Sequence, residues 1–233
     1  TSLSDEGEAI NAIQAGCDRL DLDDSVCDTA EQVFQARNEE IDRDSPISLD
    51  PVAGAAIYAA IKVERTGVPI GTVCDELGVG QKAIFRELKR VGDAVDIPIP
   101  IETPSMFVPR IVDRLAEMVD DVDSETIQPE IERTKTVASE IATELTETGY
   151  VSGCSGSGIA AATVYALCRV APWVESVPSQ QCVAEAADVS VVTIRDHYRD
   201  ILDEVSVEDH INDGDTTVDS YREVDNWVEG DSR

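Results

Sequence analysis

Apolar residues recur at three- and four-residue intervals along most of this chain, the spacing that amphipathic helices require. The first block predicts a helix from about Ser4 to Leu20, with Ala9, Ile10, Ile13 and Cys17 turned inward. Ser25-Val26-Cys27-Asp28 reads as a capping box and opens a second helix carrying Val26, Ala30, Val33, Phe34 and Ile41. Asp50-Pro51 is an N-cap followed by proline at the first helical position. The helix it starts, Pro51 to Thr66, is small and apolar until Lys62, the pattern of a helix surrounded by others. A short helix from Ile70 to Leu77, a Gly78-Val79-Gly80 turn and a helix from Gln81 to about Val95 make five.

The proline-rich stretch IPIPIETP (Ile97 to Pro104) then interrupts the pattern, and residues 98–104 read as a semi-extended linker. Beyond it the blocks return: Ser105 to Met118, Ser124 to Thr148, Gly158 to Val170, Ser179 to Ala187 and Val191 to Val205. PVAGAAIYA (Pro51 to Ala59) lies over GIAAATVYA (Gly158 to Ala166), with Tyr58 on Tyr165. Val68-Pro69 lies over Val177-Pro178, and Val79 and Ile84 over Val189 and Ile194. An internal repeat of about 107 to 110 residues is therefore expected. The fold class is all-α: two tandem five-helix domains, residues 1–97 and 105–205. Residues 206–233 are acidic and rich in Gly, Asp and Ser, and are expected to form a mobile tail.

Val177 to Leu202 reads as two short helices around a tight turn. Ser179 caps the first and Ser190 the second. Ile194, Tyr198, Ile201 and Val205 form one buried stripe on the second helix, while Val192, Arg195 and Arg199 share the opposite face. That is what a helix-turn-helix needs if its second helix is to enter a major groove, where Arg reads guanine and an apolar side chain the thymine methyl. An ordinary helical hairpin is the plainer alternative.

Charge alters this picture in one respect. The chain has 233 residues, 48 acids against 18 bases, a formal net charge of -30 and only four lysines. Either it is an acidic partner or nucleic-acid mimic, or it works in molar salt, which screens self-repulsion. Even spreading of the acids and scarce Lys favour the second, and so a salt-rich cytoplasm. One local exception stands out: Lys82, Arg86, Lys89 and Arg90 lie along one helix face opposite Ile84, Leu88, Val91 and Val95. They suit phosphates or an acidic partner surface; a solvated face paired with Glu87 is the plainer reading. The six cysteines lack Cys-x-x-Cys spacing and the only histidines are His197 and His210, so no metal and no cofactor is expected. Most thiols should be small buried hydrophobes, with Cys154 exposed in a Gly/Ser loop. The longest apolar run, Ile159 to Cys168, is too short to span a membrane. GCSGSG lacks the following Lys of a phosphate loop, and no catalytic His can be placed, so an enzyme is not expected.

The paired Ala-rich helices with Ala-x-x-x-Tyr, together with TGYVSG…GIAAATVYA and VAEAADVSVVTIRDHYRDI, resemble the cyclin-fold core of archaeal general transcription factor B. The resemblance covers about residues 5 to 205. It implies two cyclin-like repeats, the second ending in the helix-turn-helix, and a role in transcription initiation with TATA-binding protein and promoter DNA as partners. The second repeat would read the element upstream of the TATA box. By position Val192 and Arg195 match the family's base-reading residues, with Ser190, Thr193 and Arg199 beside them; Lys82, Arg86, Lys89 and Arg90 would meet phosphates or the partner protein. RNA polymerase is implied only if the family's zinc ribbon precedes Thr1; an excised core and a ribbon-less regulatory paralogue are both compatible with this start. The family's basic residue before each third helix is missing here, where the loops read Asp44-Ser45-Pro46 and Cys154-Ser155-Gly156. A cyclin-type protein-binding module is the alternative of a different class.

Overall fold

A computed structural model describes residues 3–40, 49–94, 98–118, 124–174, 176–205 and 207–212. The described residues are helical or irregular, with no strand among them, in keeping with the all-α, cyclin-like class. The chain forms two compact units, Thr1–Glu102 and Thr103–Arg233.

The first unit holds α1 (Leu3–Arg19), α2 (Asp24–Glu40), α3 (Leu49–Val63), α4 (Ile70–Leu77) and α5 (Gln81–Ala94). Every residue of α3 from Val52 to Ile61 is buried, and the helix is packed by α1, α2, α4 and α5. Small residues make this possible: a β-carbon on Gly16 would come within 2.6 Å of Ile57 Cδ1, so α1 and α3 meet almost backbone to side chain. Gly78 ends α4 in the left-handed region, φ 66, where a side chain is strained.

The second unit begins with a 3-10 turn (Pro104–Met106), then α6 (Val108–Glu117), α7 (Ser124–Glu147), α8 (Gly156–Val170), α9 (Gln180–Ala187), α10 (Val191–Glu204) and α11 (Val207–Asn212). Its central helix is α8, buried from Ser157 to Cys168 and packed by α6, α7, α9 and α10.

Several expectations need adjusting. The second helix starts at Asp24 rather than being capped by Ser25, because the Asp23 carbonyl already accepts from the Val26 and Cys27 amides at 3.0 and 3.2 Å. Helix α3 stops at Val63, short of Thr66, and Arg65 adopts φ 54. The block Ser105 to Met118 is broken at Phe107 between the 3-10 turn and α6. Within the expected linker, Ile99 packs on the first core, the Tyr58 hydroxyl donates to Glu102, and Pro104 is buried in the second unit. The expected tail opens with a helix: Val207 and Ile211 of α11 are buried, and α11 lies on α7, where His210 Nε2 is 2.7 Å from Glu144 Oε2. The remainder, 213–233, lies outside the described residues, as do Ile41, the Asp44-Ser45-Pro46 loop and Val95.

Candidate nucleic-acid interface

Local hydrogen bonds fix the α9–turn–α10 segment. Ser179 Oγ caps α9 by accepting from the Cys182 amide at 3.1 Å. Asp188 then turns the chain at φ 53, a left-handed geometry that Asp tolerates better than most residues. The Val189 amide closes the turn on the Ala184 carbonyl at 3.0 Å. Ser190 Oγ accepts from the Thr193 amide at 3.2 Å and shares a 2.9 Å hydrogen bond with Thr193 Oγ1. Arg114 of α6 reaches across to Asp188 Oδ2 at 2.7 Å, so the turn is tied to the body of the unit. Its neighbour Arg110 is half-buried, and desolvation followed by the nearby Arg114 charge lowers its pKa from the usual arginine value.

Helix α10 rests on α8 through Ile194, Tyr198 and Ile201, all buried, with Val205 closing its end. The predicted stripe is thus the packed one. Opposite it, Val192 is 58% exposed, and Arg195 and Arg199 are exposed. Among the described residues Arg195 has no ion pair, and neither Asp196 nor Asp200 reaches it. Arg199 instead donates from Nε to the Tyr198 hydroxyl at 3.0 Å, which raises its pKa. Ser190 and Thr193, expected beside the base-reading residues, are occupied with capping; Thr193 turns its methyl toward Gly158.

The basic face of α5 is divided. Lys82, Arg86, Lys89 and Arg90 are all exposed, as the periodicity predicts. However, Glu87 is buried and gathers three guanidiniums: Arg37 of α2 at 3.0 Å, Arg90 at 2.8 Å and Arg86 at 3.6 Å. The guanidiniums of Arg86 and Arg90 are therefore tied to Glu87, while Lys82 and Lys89 have no ion pair among the described residues. Phe85, 44% exposed on the same face, sets its ring edge-to-face on Tyr58 at 6.3 Å. Burial and then the Glu102 carboxylate push the Tyr58 phenol well above its usual pKa. The loop before α8 serves the helix itself, with Ser155 Oγ accepting from the Gly158 amide at 3.4 Å; Cys154 beside it is exposed.

Sequence reading missed Glu87 as a buried hub, Phe85 as an exposed aromatic among the cations, and Arg169, which sits over the rings of Tyr165 and Tyr198. Only Phe85 left a signal, an aromatic on a basic helix face.

No protein-family model matches the chain. Among characterised proteins it is 30% identical over 196 residues to transcription initiation factor IIB 4 of Halobacterium salinarum, covering 84% of this chain and 55% of that protein. It is 26% identical over 201 residues to transcription initiation factor IIB of Pyrodictium occultum (86% and 59%) and 29% over 195 residues to that of Methanopyrus kandleri (82% and 57%). The chain thus spans little more than half the length of these relatives.

Proposed function

Because the chain carries a core of the transcription initiation factor IIB type, we propose that it acts in transcription initiation by docking on TATA-binding protein at promoter DNA and reading the adjacent upstream element through α10. The observation that carries this reading is the contrast along α10. One face is packed onto α8, while Val192 and Arg195 stand exposed on the other, Arg195 with no ion pair among the described residues. Both are the side chains that read a major groove, Arg bidentate to guanine and Val on a thymine methyl. Ser190 and Thr193 would support the readers by fixing where α10 begins.

On the first unit, Lys82, Arg86, Lys89 and Arg90 would meet DNA phosphates or an acidic surface of TATA-binding protein. Glu87 would hold Arg86 and Arg90 in place for that contact. The activity is recruitment and recognition, not catalysis. RNA polymerase would be a partner only if a zinc ribbon precedes Thr1. A salt-rich cytoplasm is the setting that a charge of -30 favours, and it fits the Halobacterium relative. No helix among the described residues is long and apolar enough to cross a membrane.

Anisotropy of a labelled promoter duplex with TATA-binding protein, in molar salt, tests this reading. Addition of the chain should raise the signal, and more so when the upstream element is intact. No increment on any duplex would contradict it.

A further inference from the structure

In a chain with 48 acids and 18 bases, several arginines of the second unit, Arg110, Arg133 and Arg195 among them, still have no ion pair among the described residues. In the second unit Arg114 and Lys135 form ion pairs. Arg169, near the end of α8, and Arg199, on α10, form none among the described residues, although Asp196, Asp200, Asp203 and Glu204 all lie on α10. Both are held on aromatic rings instead. The Arg169 guanidinium lies 5.9 Å from the Tyr165 ring centre and 5.8 Å from that of Tyr198, and the Arg199 guanidinium is 5.6 Å from the Tyr198 ring. The two rings meet edge-to-face at 5.1 Å, both nearly buried. The Tyr198 hydroxyl accepts from Arg199 Nε at 3.0 Å, and the Tyr165 hydroxyl faces Arg169 Nη1 at 3.4 Å.

We propose that Arg169 and Arg199, mounted on the Tyr165–Tyr198 pair, form a clamp for the phosphate backbone of duplex DNA. The proposal rests on the DNA-binding reading above and adds to it a site on α8. A guanidinium within about 6 Å of a ring is attracted to it, and a planar fork placed in this way suits gripping phosphate oxygens in pairs. The Tyr198 hydroxyl accepts from Arg199 and so keeps its own proton for a phosphate oxygen. Arg199 lies one turn beyond Arg195 on the same face of α10, so a backbone held there would run alongside the bases that Arg195 faces. A purely structural role for Arg169, complementing the carbonyl end of α8, would affect melting but not the salt dependence of DNA binding.

The test is a salt titration of the ternary complex with TATA-binding protein, on matched and scrambled upstream elements. Arg169→Ala and Arg199→Ala should each weaken binding by the same factor on both duplexes. Each should also change the slope of log K against log salt by about one. Arg169→Lys, which keeps the charge and guards against a folding defect, should retain the slope but lose affinity with the planar fork. Unchanged affinity and slope in Arg169→Ala, with Arg195→Ala still sequence-selective, would overturn the clamp and leave the DNA reading intact. Weaker docking on TATA-binding protein without DNA would also overturn it, assigning the arginines to an acidic protein surface. Failure of the unaltered chain to join any promoter complex would sink both.

Discussion

Gly158 of α8 lies so close to Thr193 of α10 that a β-carbon on the glycine would come within 2.7 Å of Thr193 Cγ2. The start of α10 is thereby set by a missing side chain. Thr193 cannot simply rotate away, since its Oγ1 is hydrogen-bonded to the cap Ser190 at 2.9 Å. Gly158→Ala should destabilise the second unit by about 1–3 kcal/mol through overpacking. Adding Thr193→Ser removes the opposing methyl and should recover much of that loss, a coupling readable in thermal melts of the two singles and the double.

In the first unit, Glu87→Ala should be among the costliest changes. It leaves Arg37, 3% exposed, without its only carboxylate partner among the described residues. Breaking a buried pair from one side costs about 3–5 kcal/mol, whereas an apolar pair of similar volume at both positions is often close to neutral. Denaturant melts of Glu87→Ala against Arg37→Met/Glu87→Leu would separate the two; equal large losses would mean that the pair itself is stabilising.

Helix α8 was legible because its small residues leave no polar face, and Ala161 and Ala162 are indeed fully buried. Replacing either with Leu should overpack the core by about 1–3 kcal/mol in a melt. A neutral result at both positions would contradict the tight packing of α8.

Residues close in sequence carried most of what could be read. The Asp188 turn, the caps Ser179 and Ser190 and the glycine stop of α4 are local devices, and each lies where its residues predict. The capping box at Ser25 misled because the Asp23 carbonyl, two residues earlier, took the first amides. Contacts over long separations left no trace in periodicity. Arg37 and Glu87 are fifty residues apart, and Arg114 meets Asp188 across seventy-four. On the candidate interface, the outward face of α10 followed from its stripe, but the capping duties of Ser190 and Thr193 and the ring-held Arg169 needed coordinates.

Salt dependence should be pronounced. A formal charge of -30 repels itself at low ionic strength, and molar KCl screens it. Helicity followed by circular dichroism should fall in dilute buffer and return on adding salt. Full helicity and unchanged melting at about 50 mM salt, where screening extends over roughly a nanometre or more, would argue against a protein adapted to brine.

The central claim is that α10 reads bases, and Arg195→Ala tests it most directly. Binding of this variant to the complex of TATA-binding protein and promoter should be compared on matched and scrambled upstream elements in high salt. The account predicts a loss of about 1–3 kcal/mol on the matched element and little on the scrambled one. Equal losses on both would contradict base reading by Arg195.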